Sequence, residues 1–125
     1  MNLLGHRLEL STPETAPDTR KTVRALAASI VTNPGRLDDI ELMTGEGLAN
    51  ALLHGEGPID VSVSVNADRV CVEIKNHARS NRPANRHRLD QDHGRGLSII
   101  DALATSWRLE RTDDETALRF EVDVD

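Results

Sequence analysis

Apolar residues recur along this chain with two different periods, and the switches between them mark its elements. His6 to Leu10 reads as a short strand, with Leu8 and Leu10 on one side. Thr12 to Pro17 is a turn-rich link. From there to Val31 the apolar positions Val23, Leu26, Ala27, Ile30 and Val31 fall on one helical stripe. Asn33-Pro34-Gly35 breaks that helix. A second helix is expected from about Leu37 to His54, with Leu37, Ile40, Leu48, Ala51 and Leu52 apolar. Asp38 and Asp39 fall in its expected first turn, where the helix dipole favours them. Gly45 and Gly47 each weaken a helix by roughly 1 kcal/mol relative to Ala. A helix that keeps both points to close backbone approach there. Gly55-Glu56-Gly57-Pro58 ends it.

The period then changes to two. Ile59, Val61, Val63 and Val65 alternate with polar residues, Asn66 to Arg69 makes a turn, and Val70, Val72 and Ile74 alternate again. Asn76 to Gly96 is a long polar loop, and loops of that length without structure are usually functional or disordered. A short helix is expected over Leu97 to Ala104. Two strands follow, Trp107 to Arg111 and Ala117 to Val124, joined by a turn at Thr112 to Glu115. Leu118, Phe120, Val122 and Val124 share one phase of the last strand. Strands in consecutive hairpins imply a mixed, mostly antiparallel sheet. Helices covering one face make it an α+β fold, a two-layer α/β sandwich. Residues 1–125 fit one domain, without repeats or low-complexity tracts.

Composition narrows the function. Trp107 and Phe120 are the only aromatic residues, so stacking of exposed bases is not an expected mode of action. The net charge of −6 argues against a general nucleic-acid binder. No apolar run reaches signal or transmembrane length, which leaves a cytoplasmic protein without a membrane role as the expectation. Cys71 lies between Val70 and Val72 and reads as a small buried hydrophobe. His6, His54, His77, His87 and His93 are scattered and do not match zinc-ligand spacing. No serine lies in a nucleophile elbow.

Three features carry candidate chemistry. Glu46, Asn50 and His54 are spaced by four and project from one side of the second helix over two turns. An amide oxygen there suits a hard cation such as Mg²⁺, and a neighbouring carboxylate suits a general base. A solvated helix face would show the same spacing. Gly94-Arg95-Gly96-Leu97 stands where the long loop meets a helix, a place where backbone N–H groups can hold a phosphate. A simple glycine-led helix start would look alike. Finally, residues 77–96 hold five arginines against two aspartates, giving +3 in a chain of −6 and leaving −9 elsewhere. Such a loop can close over phosphates, meet an acidic partner, or stay solvated.

Together these pieces resemble the Bergerat ATP-binding fold of gyrase, heat-shock chaperones, histidine kinases and mismatch-repair ATPases. The N box of that family, Glu-x-x-x-Asn-Ala followed by His, is matched by Glu46, Asn50, Ala51 and His54. Its later Gly-x-Gly-Leu is matched by Gly94, Arg95, Gly96 and Leu97. Motif order, spacing, chain length and the position of Trp107 are most similar to the anti-sigma-factor serine kinases that act in partner switching. The resemblance implies that Glu46 is the general base and Asn50 the Mg²⁺ ligand. It further implies that His54 and Gly94 to Leu97 border the nucleotide, and that residues 77–93 form its lid.

One box departs. The family carries Asp-x-Gly after the third strand, where Asp reads the adenine amine; here Asn76 and Ala78 stand at those positions. A carboxamide oxygen still accepts from an amine, without charge, at a cost of roughly 1–2 kcal/mol. Ala78 adds a methyl where the family has none. The resemblance therefore implies an ATP- and Mg²⁺-dependent regulator that binds a sigma factor and phosphorylates a serine of a STAS-type antagonist, in a subfamily that often dimerises. The alternative is a pseudokinase that sequesters a partner with weak or no ATP binding. A detached sensor histidine kinase catalytic domain fits less well, since no dimerisation helix with a phosphorylatable His precedes the fold.

Overall fold

Proline and asparagine set the boundaries of the two long helices. The computed structural model describes residues 2–9, 14–54, 58–77, 96–112 and 114–124, with backbone alone at 6–9, 53, 54, 77 and 96. Helix α1 runs Ala16–Ala27 with Pro17 in its first turn, where a missing N–H costs nothing. Helix α2 runs Pro34–His54. Asn33 Oδ1 accepts from the backbone N–H of Gly35 at 2.8 Å and of Arg36 at 3.3 Å, so it caps α2. The Asn-Pro-Gly tripeptide thus starts the second helix as well as separating it from the first. The earlier start moves Asp38 and Asp39 out of the first turn, which holds no acid. Asp38 instead accepts from Arg24 of α1 at 2.7 Å, and Glu41 does so at 3.3 Å.

Five strands form one sheet: β1 (Asn2–Glu9), β2 (Ile59–Asn66), β3 (Arg69–His77), β4 (Ser106–Arg111) and β5 (Glu115–Asp123). Their order is β1-β2-β3-β5-β4. Every pairing among the described residues is antiparallel, so the sheet is not mixed. Helix α3 spans Gly96–Leu103 between β3 and β4 in sequence. The architecture is a two-layer α/β sandwich. Ile59, Val61 and Val63 of β2, Val70, Val72 and Ile74 of β3, and Leu118, Phe120 and Val122 of β5 are buried. They meet Val23 and Ala27 of α1, Ile40, Met43 and Leu48 of α2, and Leu97 and Ile100 of α3 in one core cluster.

Both glycines inside α2 have a packing reason. A Cβ on Gly47 would lie 2.6 Å from Ile74 Cδ1 and 3.0 Å from Leu118 Cδ2, so α2 rests directly on the centre of the sheet. A Cβ on Gly45 would lie 2.7 Å from Arg20 Cδ, so the Arg20 stem crosses α2 at that point. Gly5 makes the equivalent room for Leu26 on the β1 side. Thr44 is buried within α2 and donates its hydroxyl to the Ile40 carbonyl at 2.7 Å.

Candidate functional site

The polar line on α2 diverges as it descends. Four residues make slightly more than one turn, so each step of four rotates about 40° around the axis. Glu46 and Asn50 therefore border different spaces. Glu46 is half-buried and lines a groove between the start of α1 and α2, with a cavity of about 350 Å³. Asn50, also half-buried, lines a hollow between α2 and the ends of β3, β4 and β5, together with Gly47, Ala51, Asn76, Leu109 and Thr116. His54 is the last residue of α2. The α2 helix is thus the wall shared by the groove and the hollow.

Asn76 is nearly fully buried in the hollow. Its Nδ2 donates to the Ala51 carbonyl at 3.5 Å, a long bond that ties the end of β3 to α2. Only a donor satisfies that carbonyl, so the amide turns Oδ1 away from it as the remaining acceptor. An aspartate here would set two acceptors against each other. The hollow is narrow, with a cavity of about 10 Å³, the room of one water.

Thr116 is a site residue that motif reading missed. It pairs with Asn76 across β3 and β5 and brings a hydroxyl to the same hollow. The signal was present: Thr116 shares the inward phase of Leu118, Phe120 and Val122, and a polar residue there calls for a partner or a ligand. Arg20 was missed as well. Its Nε is buried without a hydrogen-bond partner, and its side chain lines the groove beside Glu46.

Ala78, Gly94 and Arg95 lie outside the described residues, as does nearly all of the expected lid. Gly96 opens α3, and Leu97 is buried in the core. Helix α3 packs on α2 and is fastened to β4 by Trp107, whose Nε1 donates to Asp101 Oδ1 at 2.8 Å. The structure thus brings Asn50 and Asn76 together and seats the α3 start in the same helical layer. The Asn50 amide oxygen fits a hard cation on the hollow side of α2, and the Glu46 carboxylate fits proton transfer on the groove side. The space beside Asn76 is tight for a base.

Among the described residues, no helix is long and apolar enough to cross a membrane. No curated protein matches the sequence. Among solved structures, a chain of the SiaB–SiaC complex from Pseudomonas aeruginosa has a similar fold, with a TM-score of 0.69 at 14% identity over 97% of this chain and 90% of that one. The family model for the histidine kinase-like ATPase domain matches residues 10–122. The chain belongs to the histidine kinase-like ATPase domain family.

Proposed function

We propose that this protein is a cytoplasmic MgATP-dependent partner-switching regulator that binds a sigma factor and phosphorylates a serine on a STAS-type antagonist. The observation that carries the reading is the placement of Glu46 and Asn50 one turn apart on α2, with Asn50 facing Asn76. Bound MgATP supplies the phosphoryl group and the charge neutralisation that its transfer needs. Asn50 would hold the cation through its amide oxygen. Asn76 Oδ1 would accept from the amine of the base. Glu46 would take the proton of the incoming serine hydroxyl. A solved structure of similar fold is a complex of two proteins, which agrees with work through a partner.

Calorimetry with MgATP, followed by a phosphotransfer assay on purified STAS-domain proteins of the same genome, tests this. Expected are measurable ATP affinity and serine phosphorylation that Glu46→Gln abolishes with ATP binding retained. Absence of binding at millimolar ATP would defeat the kinase reading.

A second reading has its own support. Asn76 spends its donor on Ala51, and the hollow beside it has the room of one water. Both favour a regulator that keeps the fold and captures partners without turnover. Asn76→Asp combined with Ala78→Gly separates the two. Nucleotide binding that appears only in the double variant identifies a pseudokinase; binding present beforehand and sharpened identifies the kinase.

A further inference from the structure

We propose that β4 is a self-pairing edge: a second copy of this chain adds its own β4 antiparallel to it, about a twofold axis at Leu109, and joins the two sheets into one. The inference goes beyond the kinase reading and does not depend on it. In the order β1-β2-β3-β5-β4, strand β4 ends the sheet, and no described strand lies beyond it. Its ladder with β5 is regular from Ser106 to Arg111, whereas β1 at the other edge carries an irregularity between Leu3 and Gly5. Bulges and charges are common means of blunting an edge. The charges on β4 are arranged so that they select one pairing instead of blocking all.

The backbone phase comes from the hairpin. Thr112 N donates to Glu115 O at 2.9 Å, so these two form the hydrogen-bonded pair that closes β4 onto β5. Hydrogen-bonded and non-hydrogen-bonded pairs alternate along an antiparallel ladder. Glu110 and Arg108 therefore spend their backbone groups on Ala117 and Arg119, and Leu109 and Trp107 turn theirs outward. The side chains divide between the faces in the same alternation. Arg108 and Glu110 stand on the face away from the helices, 64% and 59% exposed, with Arg108 Nε donating to Glu110 Oε1 at 3.0 Å. Trp107 and Leu109 pack against the core and are only partly buried. Leu109 also lines the hollow beside Asn76, so a copy seated at this edge stands next to the candidate site.

The charges choose both the occupant and the register. In a twofold interface, if residue i meets residue j, then j meets i. An axis at Arg108 sets two guanidiniums against each other, and an axis at Glu110 sets two carboxylates against each other. An axis at Trp107 sets Arg108 against Ser106, and one at Arg111 sets Glu110 against Thr112, which leaves the charges unpaired between copies. Of the positions in β4, an axis at Leu109 alone sets Arg108 of each copy opposite Glu110 of the other. Those are non-hydrogen-bonded pairs, in which side chains approach most closely, and opposite charges favour such pairing. The same axis lays Leu109 against its counterpart on the inner face, where apolar surface is left partly open, and brings the outward N–H of each Leu109 to the carbonyl of the other. A run of one charge sign would repel every second copy. An opposite pair two residues apart on one face is complementary to itself.

Sedimentation equilibrium over a concentration series tests this on wild type, Arg108→Glu, Glu110→Arg and an equimolar mixture of the two variants, with circular dichroism to check the fold. Wild type is expected to form a dimer. Each variant alone sets like charges against each other across the seam and should weaken association about tenfold or more. The mixture should recover it, as a heterodimer that native mass spectrometry identifies by its mass. Neither variant keeps the Arg108–Glu110 pair within its own chain, so recovery on mixing can come only from charges that meet between chains. A wild type that stays monomeric throughout the series overturns the proposal. Dimers indifferent to both substitutions overturn it, and so does a mixture that associates no better than its parts. Leu3→Glu on β1 is the control. A dimer lost in that variant and kept in both β4 variants places the interface at the opposite edge and overturns the proposal as well.

Discussion

Cys71 shows how one side chain reports the state of the whole sheet. It is buried although it lies on the face away from the helices, between Ser64 of β2 and Glu121 of β5 in the register. Burial pushes its thiol pKa up, against the lowering effects of nearby Arg119 and a hydrogen bond with Ser64. A raised thiol pKa means that the folded state prefers the neutral form. Its contribution to stability is complete below the ordinary thiol pKa and falls away as pH rises through the raised value. Thermal unfolding of wild type should lose stability above about pH 8.5 more steeply than Cys71→Ala. Ellman's reagent should react slowly with the native protein at pH 8 and promptly in denaturant. Fast native labelling would show that the sheet does not shield the thiol.

Gly47 is the residue on which the contact between helix and sheet turns. Gly47→Ala gains helix propensity of about 1 kcal/mol, yet forces its methyl into Ile74 and Leu118. Overpacking in a close-packed core costs about 1–3 kcal/mol, so the variant should lose about 1 kcal/mol net. Urea unfolding decides the sign. A gain would mean that both neighbours move aside freely, and that the glycine is kept for another reason.

At the scale of elements, the β2–β3 hairpin carries a local conflict. Ala67 has φ = 56°, the positive-φ non-glycine residue among the described ones. A turn with positive φ at its first central position favours glycine there. The left-handed region costs an L-residue about 1–2 kcal/mol, and glycine gives back part of that through the unfolded chain. Ala67→Gly should therefore stabilise the protein by about 0.5–1 kcal/mol in the same urea assay. Destabilisation would place the strain elsewhere.

The period of the apolar pattern located these elements because one face of each is buried against the same core. It misplaced their ends where local chemistry outvotes periodicity. Helix α1 stops at Ala27 although Ile30 and Val31 continue its stripe, and Val31 is still buried as the chain turns. Helix α2 begins three residues early because Asn33 caps it and Pro34 fits its first turn. In β1 the alternation of Leu8 and Leu10 marked one side of the strand without saying which; register sets Leu8 opposite Asp60, and Gly5 meets Leu26. A glycine on the inner face carries no hydropathy signal. The same limit hid half of the site. Motif reading put Glu46 and Asn50 among the candidates through their type and separation, and Asn76 through its place at the end of the third strand. Arg20 and Thr116 come from other elements, and only the antiparallel register and the crossing of α1 over α2 bring them in.

At the scale of the whole molecule, ligand binding must register as stability, because only the folded chain joins α2 to the sheet. A ligand at one hundred times its dissociation constant adds about 2.7 kcal/mol. For a domain of this size that is a rise of several degrees or more in Tm. The kinase reading predicts that millimolar ATP raises Tm with Mg²⁺ present and raises it less without the metal, since Asn50 then has no cation to hold. Asn50→Ala should bring the two curves together. Arg20→Met should retain the full nucleotide shift, because Arg20 lies across α2 from the hollow. Trp107 adds a separate signal: it is the single tryptophan and its Nε1 bonds Asp101 of α3. Nucleotide that repositions the start of α3 should shift its emission, and Asp101→Ala should remove that response while leaving the magnesium-dependent Tm shift. A Tm indifferent to ATP and Mg²⁺, together with retained capture of a STAS protein, would make α2 the spine of a binding module and leave Glu46 and Asn50 without a catalytic part.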